Sequence, residues 1–185
     1  MRPLHLTAPR AVLSLTRRPQ VSGNAVVRFA NRASRPFGNM GDLAMSVKRR
    51  VFMSLTHDTY LDDRQNNVKW GIVQRVIDAG YEPHLFFPAV PSRFAATVHR
   101  EVPWTADKVR EAVGGAVGAV MLGFPRWKYG DDAHASEFTH YEAGVAHTTG
   151  IPMLMVLEQG IRWRGAFDQS SAQICEVPQT PMRRG

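Results

Sequence analysis

Glu142 is the acidic residue whose neighbours most favour a role in binding or catalysis. It follows Tyr141, and small residues come after it at Ala143, Gly144 and Ala146. Small residues beside a carboxylate let a ligand approach the helix closely, whereas large neighbours would shield it. The alternative is that Glu142 is a solvated helix residue, as most glutamates are.

The sequence around Glu142 predicts a capped helix followed by a buried strand. Ser136 can accept a hydrogen bond from a free backbone N–H at the helix start. Gly150, followed by Pro152, ends the helix. Residues 152–157 are apolar and compact, which favours a strand covered on both faces. The pattern therefore places Glu142 nearly two turns into a helix.

Strands and helices also alternate before this point. Further strands are predicted at residues 50–56, 82–87 and 116–122, and a last one at 173–177. Helices are predicted at 65–79 and at 106–113. The apolar stripe of the first helix is formed by Val68, Ile72, Val73, Val76 and Ile77. This order predicts a single α/β domain with a flavodoxin-like open parallel sheet of four or five strands and helices on both faces.

Ligands of such sheets bind beyond the carboxyl ends of the strands. The segments at that edge are predicted to be residues 54–64, 88–104, 123–135 and 158–168. Besides Glu142, the candidate ligand-binding residues there are Ser54, His57, Asp58, Arg126 and Trp127. Arg126 could meet a phosphate or be a surface cation, and Trp127 and Trp163 could stack on a base or pack in the protein. The long connection 88–103 is either a lid or a plain insertion.

Several function classes are disfavoured by motifs that the sequence lacks. No Gly-x-Gly-x-x-Gly follows the first strand, and no Walker-type Gly-Lys-Ser/Thr occurs, so a standard dinucleotide or NTP cradle is not expected. No Gly-x-Ser-x-Gly elbow occurs, which argues against an α/β-hydrolase. The seven histidines are scattered, and no pair with zinc-site spacing is joined by a plausible third ligand, so no metal site is expected. His140 and His147 are expected to be surface or packing residues, and the single cysteine, Cys175, a buried bystander.

The basic charge lies in the first part of the chain. Residues 1–50 carry ten Lys or Arg and one acid, whereas the remainder has a net charge of −2. We expect residues 1–47 to be a disordered basic leader, residues 48–178 the folded domain and residues 179–185 a loose tail. The leader could instead be a mitochondrial-type presequence, or the start could be Met45. A folded part without excess basic charge argues against nucleic-acid binding, and the longest apolar run, residues 112–124, is too short to span a membrane.

The sequence resembles the nucleoside 2-deoxyribosyltransferase-like enzymes and the TIR (Toll/interleukin-1 receptor) type NAD-cleaving domains over about residues 50–168. The resemblance rests on residues 51–54 as first strand, residues 136–146 as the glutamate-bearing helix, and residues 150–152 leading into the next strand. Deoxyribosyltransferases usually have an aspartate six residues before the glutamate, where this chain has Ser136. Several TIR enzymes have a serine there with an aromatic residue between, as with Ser136 and Phe138.

The resemblance implies a TIR-like fold and an N-glycosidase or glycosyl transferase that acts on a nucleotide or nucleoside. Glu142 would be catalytic, as a nucleophile or by stabilising the positive charge that develops as the N-glycosidic bond breaks. Ser136 and Phe138 would contact the substrate. NAD would be a substrate, and no cofactor is implied. The alternative is a nucleotide sensor or an interaction module of the same fold without catalysis. We expect a cytoplasmic protein, and a homo-oligomer is left open.

Overall fold

The computed structural model describes residues 49–162, 164–168 and 172–179. The predictions for the leader and the tail fall almost wholly outside these residues and stay predictions. The main sheet has six strands: β1 (Arg50–Ser54), β2 (Glu82–Leu85), β3 (His99–Arg100), β4 (Gly118–Gly123), β7 (Met153–Glu158) and β8 (Gln173–Val177). The helices are α1 (Asp63–Asp78), α2 (Ala106–Gly114) and α3 (Glu137–Thr149). In the part of the chain so described, no helix is long and apolar enough to cross a membrane.

The strand order is β3-β2-β1-β4-β7-β8, and every neighbouring pair is parallel. The chain first builds outward from β1 to β2 and β3, then returns to β4 on the other side of β1. Right-handed crossovers put α1 on one face of the sheet, and α2 and α3 on the other. The predicted α/β class with a parallel sheet is confirmed. The order reverses between β1 and β4, and that is where open sheets of this kind bind ligands.

Sequence signals at the helix ends predict the helices well. Thr105 caps α2 by accepting the N–H of Lys108, and Ser136 caps α3 by accepting the N–H of Phe138. Gly150 ends α3 with a φ of 72°, a left-handed conformation that glycine adopts without strain. The start of α1 comes two residues before the prediction, because Asp62 and Gln65 form a capping box.

The strand count differs from the prediction of four or five. β3 is only two residues long and lies inside the connection that was predicted to be a lid or an insertion. The loop after β4 also folds, into an antiparallel hairpin of β5 (Trp127–Tyr129) and β6 (Asp132–His134). Strands of two or three residues are too short to show a period of two, so the sequence pattern gave no signal for them.

The buried face of α1 is rotated from the predicted apolar stripe. Val73 and Val76 are buried as expected, but the other buried side chains of α1 include Lys69 and Trp70. Periodicity alone would place a lysine in solvent, so Lys69 needs a specific partner. Cys175 on β8 is exposed, and the prediction of a buried cysteine is wrong. Its strand lies at the edge of the sheet and buries little of its surface.

Gly123, the last residue of β4, lies against β7 without room for a side chain. A Cβ atom there would lie 2.3 Å from Cδ2 of Leu157, which is fully buried. We expect Gly123→Ala to lower the free energy of unfolding by about 1–3 kcal/mol, because Leu157 must leave its rotamer in a packed core. Urea denaturation measures this change.

The matched control for this substitution is Gly144→Ala in α3. A Cβ at Gly144 meets nothing within 4 Å, so this change should raise the free energy of unfolding by about 0.5–1 kcal/mol through helix propensity. Equal effects of the two substitutions would contradict the tight packing at Gly123.

Candidate active site

Glu142 lies in the second turn of α3 with its side chain directed into the protein. Only 6% of the residue is exposed, and it shares the buried face of the helix with Thr139, Ala143 and Ala146. The interpretation of Glu142 as a solvated helix residue is therefore wrong. A buried carboxyl group requires hydrogen-bond partners, since burial without them is costly.

Two side chains from distant parts of the chain bond this carboxyl group. The indole Nε1 of Trp104 donates to Oε1 of Glu142 at 2.7 Å. The hydroxyl of Ser54 also hydrogen-bonds the Glu142 carboxyl. Ser54 is the last residue of β1 and lies opposite Met121 of β4 in the sheet. The carboxyl group thus lies at the carboxyl end of the strands where the strand order reverses.

Burial raises the pKa of Glu142, and the hydrogen bonds from Ser54 and Trp104 act in the opposite direction. The two donors stabilise the ionised form, which burial disfavours. Such opposed influences are common where a carboxyl group must change its protonation state during a reaction. A negative charge formed here would act strongly on a nearby cation, because little water screens it.

An aromatic cluster lies beside the carboxyl group. Trp104 packs edge-on against Phe138 and Tyr141, with ring centroids 5.0 and 5.7 Å away. Phe138 is 52% exposed, so one side of its ring is free to contact a ligand. This is the position at which the sequence predicted an aromatic contact to substrate.

The small residues near Glu142 have a different role from the one expected. Ala143 and Ala146 are fully buried in the core, so they let α3 pack closely on the sheet rather than admit a ligand. Ser136 Oγ accepts the backbone N–H of Phe138 at 3.2 Å, which is the predicted capping bond. Its further role as a substrate contact stays a prediction.

Three other predicted binding residues form a second group, with His57 and Asp58 on the loop after β1 and Arg126 on the loop after β4. His57 and Arg126 both contact Tyr60: the His57 ring lies 6.2 Å from the Tyr60 ring, and the Arg126 guanidinium carbon 3.0 Å from its centroid. Asp58 forms an ion pair with Lys69. His57 and Arg126 are exposed. The structure thus groups these residues with one another. It brings Ser54 to Glu142 directly and Phe138 through Trp104.

Trp127 lies on the β5–β6 hairpin and is half exposed. Its indole stacks on His134 with centroids 4.3 Å apart and an angle of 23° between planes. His140 packs edge-on against Phe167 at 4.5 Å, as expected of a packing histidine. Trp163 lies outside the described residues.

Sequence reasoning missed Trp104, Lys69 and Glu158. Glu158 ends β7, is buried, and accepts the side-chain amide of Gln65 at 2.6 Å, which ties the start of α1 to this edge of the sheet. Its position directly after an apolar strand was a usable signal. Trp104 directly precedes the capping residue of α2 in a segment predicted to lie at the binding edge, and that also was a usable signal.

Comparison with known proteins gives weak structural likeness and no sequence match. No protein-family model and no curated protein matches the chain. Among solved structures, the CMP N-glycosidase BcmB of Clostridium botulinum superposes with a TM-score of 0.42 and 11% sequence identity, over 71% of this chain and 89% of that chain. A likeness at this level carries no argument about function. The resemblance to deoxyribosyltransferase-like and TIR-type domains stays a prediction.

Proposed function

We propose that the protein cleaves the N-glycosidic bond of a nucleotide or nucleoside, with Glu142 as the catalytic residue. The observation that carries the proposal is the buried carboxyl group of Glu142, held by Ser54 and Trp104 where the strand order reverses. A carboxyl group buried at a ligand-binding edge, with its pKa raised by burial, is typical of catalytic acids, bases and nucleophiles.

The reaction places positive charge where Glu142 can stabilise it. As the bond between C1′ of the ribose and the base nitrogen breaks, its electron pair leaves with the base and C1′ gains oxocarbenium character. The Glu142 carboxylate stabilises this charge or bonds to C1′, and so lowers the energy of the transition state more than that of the substrate. Water then adds to C1′, and where Glu142 has bonded to C1′ that carbon–oxygen bond breaks in the same step and frees the carboxylate. The water proton passes to solvent, which completes hydrolysis. An acceptor hydroxyl or base in place of water gives transfer.

The proposed substrate class draws on the exposed ring beside the carboxyl group and on the second group of predicted binding residues. The exposed face of Phe138 suits stacking on a base or sugar. Arg126, exposed on the loop after β4, suits a phosphate, since a guanidinium binds phosphate oxygens in a bidentate manner. His57 and Asp58 lie in the same group, and the Asp58 carboxylate, whose side chain is 47% exposed, can accept sugar hydroxyls. A nucleotide therefore fits better than a free nucleoside.

Leaving-group chemistry favours NAD within this class. A neutral base leaves only if it gains a proton, whereas the positively charged nicotinamide of NAD leaves as a neutral molecule without one. Glu142 alone is sufficient for the second case. We therefore place NAD first among the substrates to test.

The test is incubation of the full chain with NAD, ribonucleoside monophosphates and deoxynucleosides, followed by chromatography of the released base. We expect release from at least one nucleotide. A ligand that raises the melting temperature but stays intact for hours would contradict cleavage and favour the sensor alternative. If no compound releases a base and none raises the melting temperature, both the cleavage proposal and the sensor alternative are overturned.

Trp104→Phe tests whether the indole positions and tunes Glu142. Phenylalanine keeps an aromatic ring at this position but lacks the N–H that donates to Oε1. The ionised carboxylate therefore loses a stabilising hydrogen bond, and the pKa of Glu142 rises further. We expect the ascending limb of kcat/KM against pH to move to higher pH and activity at neutral pH to fall by about 10-fold. Stability should fall by about 1 kcal/mol. Tyr129→Phe, on an exposed ring of the hairpin, is the control, and an unmoved limb in Trp104→Phe would contradict the role.

A further inference from the structure

A second cluster of polar side chains lies at the β2–β3 edge of the sheet. His84 on β2 pairs in register with His99 on β3, and their ring centroids are 4.4 Å apart. Glu101 follows β3 directly. Each of the three residues offers one ligand atom, and these atoms all lie within 4.8 Å of one another. The three come together through strand pairing, which sequence spacing did not show.

The cluster is not an ordinary surface group. His84 is only 4% exposed, and its Nε2 lies 3.1 Å from Oε2 of Glu101. An ion at this cluster would bind Nε2, because Nε2 is the ring nitrogen that faces Glu101.

Glu101 is oriented by a further residue. Its other oxygen, Oε1, forms an ion pair with Nζ of Lys108 on α2 at 3.2 Å. The two carboxylate oxygens are thus divided, with Oε2 directed at His84 and Oε1 at Lys108. Ligating carboxylates are commonly held in this way by an outer partner.

We propose that His84, His99 and Glu101 bind a divalent transition-metal ion of the zinc type. Two imidazoles and one carboxylate are a donor set that zinc uses, with the fourth position open to water. Ligand atoms on a tetrahedral zinc lie about 3.4 Å apart, from bond lengths of about 2.0–2.2 Å. Nε2 of His84 and Oε2 of Glu101 are 3.1 Å apart, which is close to this distance. His99 is only partly buried, so its ring can turn to bring a nitrogen to the same distance from both. Mg²⁺ and Ca²⁺ prefer all-oxygen sites and fit this set poorly.

The test is titration of the full chain, first freed of metal by a chelator, with ZnCl₂ in a calorimeter and with Co²⁺ as a spectroscopic probe. We expect one ion per chain, a visible Co²⁺ absorption typical of tetrahedral ligation, and a higher melting temperature with zinc. Absence of binding at a ratio of one to one would overturn the proposal.

Variants separate this site from incidental binding by other histidines. His99→Ala and Glu101→Gln should each weaken zinc binding at least 10-fold and abolish the Co²⁺ spectrum. Glu101→Gln keeps the shape of the side chain, so it remains informative if His99→Ala fails to fold. His147→Ala removes an exposed histidine of α3 and should leave the affinity unchanged. Equal weakening by His147→Ala, or none by the first two, would overturn the proposal.

Discussion

Glu142→Gln should lower turnover of the substrate by a factor of roughly 10³, the loss typical of removing a key charge from the transition state. The glutamine has the same shape and keeps an oxygen that accepts the indole N–H of Trp104. Its amide N–H₂ can donate to the hydroxyl of Ser54. Only the negative charge and the nucleophilic oxygen are removed, so the variant separates chemistry from packing.

The same variant should not be less stable at neutral or alkaline pH. Burial raises the pKa of Glu142 in the folded state above its value in the unfolded chain. Between these two pKa values the folded state binds the extra proton, so stability of the wild type falls as pH rises through that interval. Glutamine carries no such titration. We therefore expect the variant to equal or exceed the wild type in urea denaturation at pH 8, and the difference to shrink below the ordinary pKa of glutamate.

The control for Glu142→Gln is Glu137→Gln, which removes the same charge from the exposed first turn of α3. Its turnover should stay near the wild-type value. Turnover by Glu142→Gln within a factor of about three of the wild type would rule out a catalytic role for the carboxyl group. Loss of activity together with a large loss of stability would instead make Glu142 a structural residue.

Much of the fold was predictable because local signals agreed with the final packing. The apolar runs at β1, β4 and β7 predicted a sheet covered on both faces, and Ser136 and Gly150 predicted both ends of α3. These signals are the spacing of apolar residues along the chain and the residue types at helix ends, and both act between neighbours in the sequence.

The composition of the site was less predictable because its contacts join distant segments. Trp104 and Glu142 are 38 residues apart, and nothing in either segment specifies the pair. Ala143 and Ala146 illustrate an ambiguous signal, since small residues serve equally for ligand approach and for close helix packing. Ser54 was identified because the end of β1 could be located, and the edge rule then placed it near Glu142.

Lys69 is the clearest case in which tertiary structure overrides the local pattern, because periodicity alone would place a lysine in solvent. The Lys69 side chain is fully buried, and its Nζ donates to the carbonyl of Thr56 at 3.2 Å and pairs with Asp58. The same nitrogen lies 5.0 Å from the ring centroids of Trp70 and Phe87. Burial lowers the pKa of Lys69, while Asp58 acts to raise it. Asp58 therefore stabilises the charged form of Lys69, which burial alone would disfavour.

Asp58→Asn should lower the free energy of unfolding at pH 7 by about 2 kcal/mol. Breaking a buried ion pair costs about 3–5 kcal/mol, and the side chain of Asp58 is 47% exposed, which reduces the loss. Without Asp58 the pKa of Lys69 falls further. The unfolded chain then binds the proton over a wider interval below the ordinary lysine pKa, so stability of the variant rises with pH in that interval and its deficit shrinks.

Lys69→Met tests whether the loss of stability in Asp58→Asn comes from the unpaired buried charge of Lys69. It removes the buried charge and leaves Asp58 to water, so it should cost less than Asp58→Asn, and the double variant should recover to within about 1 kcal/mol of the wild type. Asp131→Asn, on an exposed turn, should change stability by less than about 0.5 kcal/mol. Urea denaturation at pH 7 and pH 10 measures all four. If Lys69→Met proves as costly as Asp58→Asn and the double variant does not recover, then the lysine stabilises the loop through its stem and carbonyl contact, and the charge is not the cause.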